Sequence, residues 1–334
     1  MTQAFIGELE HVAEAVDSPH LAGLIDRLRR PVCVAVLGRD GVGRGRVEAA
    51  LKWRGVAVSP GGAGVDVCVL VIAEAVKAED LVMARSAHRP VLIVLTKADL
   101  AGAGPGGPMA VAHERAYAVE RRTGTPVVPV VGLLAAAECG GGLDADLVAA
   151  LRLFVTDPPN LTGVDAFVDD PHRVDRDVRR RLLARLDRFG VAHAVLALAD
   201  GCDPGRLPAH LSRVGNVDEL LSALDAVAAP VRYRRVRGVI TELRSLASQG
   251  NDGPLSDLLA DDVTAMAAMA AAVEVVETAG VSVDRGDTVA AHLERAVRWQ
   301  RYGRGPVTAL HRNCSADIVR GSLRLLDAVR EQPT

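Results

Sequence analysis

The sequence predicts an α/β domain built on a parallel sheet, followed by an all-α helical bundle domain. Three observations predict it. Across residues 32–131 four short apolar runs alternate with helical segments, the pattern of strands buried on both faces and joined by right-handed crossovers. After about Leu143 no further continuous β-branched run occurs. From there on, apolar residues recur every three to four positions, the period of helices that bury one face. A length of 334 residues allows two domains, each large enough for its own core.

Residues 3–28 place Phe5, Leu9, Val12, Val16, Leu21, Leu24, Ile25 and Leu28 at helical spacing with a break near Pro19, giving one long helix or two short ones. Residues 32–37 (VCVAVL) form a buried strand ending at Gly38, followed by a Gly-rich turn and a helix over residues 44–53. Residues 65–73, 91–95 and 127–131 repeat the strand signal, with helices at 77–87 and 109–123 between them. The stretch 157–170, rich in Pro and Asp, is the expected linker. Beyond it Val174, Val178, Leu182, Leu186 and Phe189 draw a single apolar stripe. Asn216, with Glu219 three residues on, opens another helix as a capping box. Helices are then expected over residues 231–249, 255–279, 284–301 and 306–330. The expected limits are residues 1–30 for an N-terminal helical segment that joins the bundle, 31–157 for the α/β domain and 158–334 for the bundle.

Lys plus Arg number 39 against 42 Asp plus Glu, a net charge of -3, which argues against nucleic acid as a partner of the whole molecule. Aromatic residues make up 3%, too few to stack successive bases. The five cysteines lack CxxC spacing and the histidines lack an HExxH pair, so no metal site is expected and a reducing cytoplasm fits. The N-terminus has no basic segment followed by an apolar core, and no uncharged run is long enough to span a bilayer. Cys33 and Cys68 fall in expected strands and read as inert core thiols. Arginine-rich stretches at 173–188 and 231–237 suit an anionic lipid surface or an acidic partner by charge. In the first of them Asp175, Asp177 and Asp187 interleave the charges, which favours a solvated face whose arginine stems cover the bundle.

A strand, a Gly-rich turn and a helix aim backbone amides and the helix dipole at an anion. The turn here is Gly38-Arg39-Asp40-Gly41-Val42-Gly43-Arg44-Gly45. Against the phosphate-loop pattern Gly38 and Gly43 match, whereas Arg44 stands where Lys belongs and Gly45 where the Mg²⁺-binding Ser or Thr belongs. The dinucleotide fingerprint fits worse, because Arg46 holds its third glycine position. Directly after the third strand comes Thr96-Lys97-Ala98-Asp99, with one of the chain's three lysines. This tetrapeptide looks like the guanine-specificity motif of GTPases, N/T-K-x-D, in which Asp accepts from the base and Lys packs over it. Together the two motifs resemble a truncated P-loop GTPase domain.

The helical half is similar to the bundle of bacterial dynamin-like GTPases, particularly the actinobacterial isoniazid-inducible type. The similarity lies in Arg185-Leu186-Asp187-Arg188-Phe189-Gly190, Gly215-Asn216-Val217-Asp218-Glu219-Leu220, Arg298-Trp299 and Val319-Arg320-Gly321-Ser322. The family's N-terminal helix returns to the bundle, which residues 3–28 fit. The chain departs from the family at the switches. No threonine lies between Thr2 and Thr96, and Asp66 is followed three residues later by Val69 instead of Gly. Residues 52–65 are too few for switches and intervening strands, so both switches are expected to be deleted. The last guanine loop, near Val131-Gly132-Leu133, lacks the usual Ser-Ala.

Phosphoryl transfer depends on positioning, on Mg²⁺ and on cationic stabilisation. The expectation is therefore a catalytically inactive GTPase-like protein with no catalytic residue and no metal. Its vestigial nucleotide site comprises Gly38, Gly41, Gly43, Arg44, Gly45, Thr96, Lys97 and Asp99. No cofactor is expected beyond a weakly held guanine nucleotide. The resemblance implies a cytoplasmic protein, with association at the inner face of the membrane as an option, that serves as a structural or regulatory partner of an active dynamin-like GTPase in envelope or membrane maintenance. Peripheral membrane contact has no support in the residues beyond the charge of those arginine-rich stretches. The alternative is an active but atypical GTP-binding protein completed by a partner in trans. A Rossmann-like enzyme is disfavoured, since no acidic residue at a suitable strand end and no catalytic His, Cys or Ser constellation accompanies the loop.

Overall fold

The computed structural model describes residues 2–59, 64–86, 89–249 and 253–331. Its contacts divide the chain into two units, residues 33–224 and residues 1–32 with 225–334. In chain order, α1 (Thr2–Val16) and α2 (Pro19–Arg29) come first. They part at Pro19, whose fixed φ suits a first helical position but not a helix interior. Then follow β1 (Cys33–Leu37), α3 (Arg44–Trp53), β2 (Ala57–Val58), β3 (Val67–Ala73), α4 (Ala78–Ser86), β4 (Val91–Thr96), α5 (Gly107–Thr123), β5 (Val127–Val130) and α6 (Gly132–Ala135). The helices α7 (Ala145–Thr156), α8 (Val164–Asp169), α9 (Arg176–Ala199) and α10 (Leu207–Val214) follow in the same unit, which also takes in residues 217–224 of the next helix. Next come α11 (Val217–Gln249), α12 (Gly253–Ala260), α13 (Asp262–Thr278), α14 (Val289–Arg304) and α15 (Ala309–Glu331).

The sheet has the order β2-β1-β3-β4-β5, and every pairing is parallel. Successive crossovers therefore leave β1 in one direction and β3 in the other, which opens a crevice at the carboxyl ends of these two strands. All six residues from Val67 to Ile72 are buried, as a strand covered on both faces requires. Four strands were expected and five are found among the described residues. The extra one, β2, spans two half-buried residues, too short to leave an apolar run. It also corrects the expectation that residues 52–65 hold no intervening strand. Residues 60–63 of that stretch lie outside the described residues.

The expected domain limit at 157 is corrected as well. Phe154 of α7 meets Phe167 of α8 edge-on at 5.8 Å, and Leu182 and Leu186 of α9 share a core with Leu147 and Leu151 of α7. The apolar stripe of α9 thus belongs to the sheet-bearing unit, and residues 157–170 connect parts of one core. Four expected helix limits also shift. The helix expected from Asn216 and that over 231–249 are one helix, α11, with Pro230 inside it. The single helix expected over 255–279 breaks at Asp261, whose carboxylate caps α13 by accepting from Val263 N at 2.7 Å. Helix α14 starts at Val289 after its cap Thr288 and not at 284, and α15 starts at Ala309. Asn216 makes no capping box; its side-chain amide donates to Pro129 O at 2.9 Å and to Glu219 Oε2 at 2.6 Å.

In the other unit Phe5, Leu9, Leu21 and Leu24 pack with Tyr233, Val239, Val275, Trp299 and Ile318. A fully buried carboxylate, Asp317, sits in this core. Tyr233 Oη donates to it at 2.8 Å, and Arg237 and Arg320 bond its Oδ1 at 2.9 and 2.8 Å, the pairing that makes a buried charge tolerable. Burial and Asp317 raise the Tyr233 hydroxyl, and burial pushes the neighbouring Cys314 thiol up to about 12. Among the described residues no helix is long and apolar enough to cross a membrane.

Candidate anion-binding site

The Gly-rich loop leaves β1 at the crevice and runs into α3. Gly38 has φ +151°, and a Cβ there would lie 2.6 Å from Val71 O, so no side chain fits where the loop crosses β3. Gly43, at φ +86°, is the N-cap of α3 and offers no side chain to its first turn. The amides of Gly41, Val42, Gly43, Arg44 and Gly45 find no acceptor among the described residues. Open amides at a helix start, reinforced by the dipole, form a cradle for an anion. Arg44 and Gly45 are exposed at its rim.

Arg39 fixes the other side of the loop. Its guanidinium donates Nε to Asp80 Oδ1 at 2.9 Å and Nη2 to Oδ2 at 3.3 Å, and Lys77 N donates to Oδ2 at 2.9 Å. The Asp80 hydrogen bond raises the guanidinium above its ordinary value. Asp80 is fully buried at the start of α4, so this fork holds the loop to the helix that follows β3. Sequence reasoning missed the pair. Its partners lie 41 residues apart, and only the sheet order shows that they meet.

Thr96 ends β4 and is buried. Its Oγ1 lies 2.5 Å from Val42 O in the loop and 2.9 Å from Ile72 O in β3, so one hydroxyl proton is shared between two carbonyls. The structure thus brings together the two motifs that the sequence singled out. Lys97 follows in a left-handed conformation, φ 57°, with an exposed side chain, and caps a 3₁₀ turn over Ala98–Leu100. Asp99 is half-buried in that turn. Burial pushes its carboxyl above the usual range and the Asp187 charge adds to this, while its own backbone amide and Lys97 oppose. Asp187 interrupts α9 with φ 56°, ψ 176°, an arrangement that glycine alone adopts readily.

The other expected elements lie elsewhere or serve packing. Val131 is buried and its amide donates to Gly215 O at 3.2 Å. A Cβ on Gly215 would lie 2.4 Å from Ala135 N, so the junction of α10 and α11 is pressed onto α6. Asp66 sits at the amino ends of β1 and β3, where it exchanges two hydrogen bonds with the Cys33 backbone through its own amide and Oδ2. The arginines of α9 bind backbone carbonyls of their own unit: Arg179 to Phe167 O, Arg185 to Cys139 O and Arg188 to Thr162 O, all within 2.8 Å.

These residues fit an anion better than a metal-bound one. Gly45 carries no side-chain oxygen for a magnesium ion, and both oxygens of the nearby carboxylate, Asp80, are bonded to Arg39. The fold and loop together define a parallel α/β unit with an amide cradle at its switch point. No protein-family model matches the chain, and no curated protein or solved structure is found to match it.

Proposed function

We propose that this is a catalytically inactive GTPase-like protein that works by contact as a structural or regulatory partner. The observation that carries the proposal is the first turn of α3, where Arg44 stands at the lysine position of the loop and Gly45 at the position of the metal-binding hydroxyl. The tie from Thr96 to Val42 supports the match to a P-loop GTPase, because it couples the phosphate-loop segment to the T-K-x-D segment. Charge-assisted bonds from a guanine to Asp99 are worth about 1.5–3 kcal/mol, whereas micromolar affinity requires about 8 kcal/mol. Arg44 is bonded to no other described side chain and is free to touch a phosphate, although its fork does not replace an extended lysine. Isothermal titration with GTP and with GDP, each with Mg²⁺, is expected to show no binding in the micromolar range. Micromolar binding overturns the proposal.

By the resemblance the partner is an active dynamin-like GTPase at the cytoplasmic face of the membrane. Co-purification from the native host with mass spectrometry tests this, and the absence of any such GTPase counts against it. The open amides also favour a second reading, an atypical GTP-binding protein completed in trans. A turnover assay with the candidate partner, comparing Asp99→Ala with the unsubstituted chain, separates the two.

A further inference from the structure

The second unit contains a cavity of about 510 Å³ between α13, the segment before α14, and α15, within the range of small-molecule sites. Met266, Met269, Val273 and Leu325 supply its apolar wall, and thioethers adapt to irregular or aromatic ligands. Its charged lining comprises Glu274, Glu277, Asp284 and Asp287 against Arg285 and Arg295; Glu274 is paired with Arg232 at 2.9 Å, which leaves three carboxylates to the two lining cations.

The two cations are committed to the protein. Arg285 pairs with Glu277 at 2.7 Å. Arg295 is buried, and its guanidinium donates to Ser322 Oγ at 3.0 Å, to Asp284 O and Gly286 O at 3.0 and 3.1 Å, and to His292 Nδ1 at 2.6 Å. Guanidinium only donates, so Nδ1 of His292 accepts and the imidazole proton resides on Nε2. His292 is 1% exposed and its Nε2 has no hydrogen-bond partner, although Asp287 Oδ1 lies 3.3 Å away. A buried donor without an acceptor calls for an explanation.

We propose that this cavity binds an organic cation with an apolar body. The body lies against the methionines and the cation faces the carboxylates of Asp284 and Asp287. With the cation in place, Asp287 closes onto His292 Nε2 and becomes its missing acceptor. Asp287 is 89% exposed, free to make that movement.

Photolabelling of the full chain with matched benzophenones tests the proposal, using the cation (4-benzoylbenzyl)trimethylammonium and the anion 4-benzoylbenzoate. The cation is expected to label peptides of α13 saturably, about tenfold more than the anion at equal concentration, since like charges brought together are strongly disfavoured. Asp287→Lys, at an exposed position, is expected to cut cation labelling about fivefold or more without changing the circular dichroism. Ala270→Trp, which fills the cavity from a half-buried position, is expected to abolish it. Equal labelling by the two probes, labelling confined to other segments, or indifference to Asp287→Lys overturns the proposal. If Ala270→Trp fails to fold, the charge comparison and Asp287→Lys still decide.

Discussion

Thr96 bears the connection between the loop and the turn that follows β4. Thr96→Val keeps the shape and removes the proton shared by Val42 O and Ile72 O, leaving two carbonyls short of a donor. A loss of about 1–3 kcal/mol is expected in urea denaturation, with most of it restored by Thr96→Ser; equal losses in both variants would refute the role. Asp99 behaves in the opposite sense. Its carboxyl is raised in the folded chain, so the native state holds the proton more tightly and the charged form weakens the fold at pH 7. Asp99→Asn is therefore expected to raise the melting temperature at pH 7. That gain shrinks as the pH falls through the native value and vanishes below the ordinary Asp value of 3.8. Melts across a pH series check this, and a pH-independent offset counts against it. Thr96, Lys97 and Asp99 were legible in the sequence because they are contiguous and follow a clear strand, whereas Arg39 and Asp80 meet only through sheet order.

Among the elements, α9 is the most informative. Its apolar stripe is visible in the sequence, yet the break at Asp187 is not, because Leu186 and Val191 remain buried on either side of it. Holding a non-glycine residue at φ 56°, ψ 176° costs on the order of 1–3 kcal/mol. Asp187→Gly relieves this at the expense of chain entropy and of the bond from Arg188 N to Asp187 Oδ1. A net gain of about 1 kcal/mol is expected by guanidinium denaturation, and a loss would show that the side chain itself secures the break. Asp261 hides a break for the same reason: periodicity on either side stays helical, and only the cap marks the end. Strands β1, β3, β4 and β5 were legible from their apolar runs, and β2 was not because two residues have no pattern.

At the scale of the whole molecule, the unit formed by residues 1–32 and 225–334 depends on both ends of the chain. Phe5, Leu9, Leu21, Leu24 and Ile25 are all buried in its core. Losing about 1.5–3 kcal/mol from each approaches the full stability of a domain. Deleting residues 1–32 is therefore expected to strip hydrogen-exchange protection from α13, α14 and α15 while β1, β3 and β4 keep theirs. Uniform loss across the chain would contradict separate cores. The division after residue 224 was not legible, since the Pro- and Asp-rich stretch 157–170 carries every compositional mark of a linker and the packing of Phe154 on Phe167 crosses it.

The split unit also sets an order on synthesis. α1 and α2 leave the ribosome long before the helices that cover Phe5 and Leu9, which follow residue 224. At roughly 5–20 residues per second the newborn amphipathic pair stays uncovered for on the order of 10–40 s, a window in which holdase chaperones compete with the later helices.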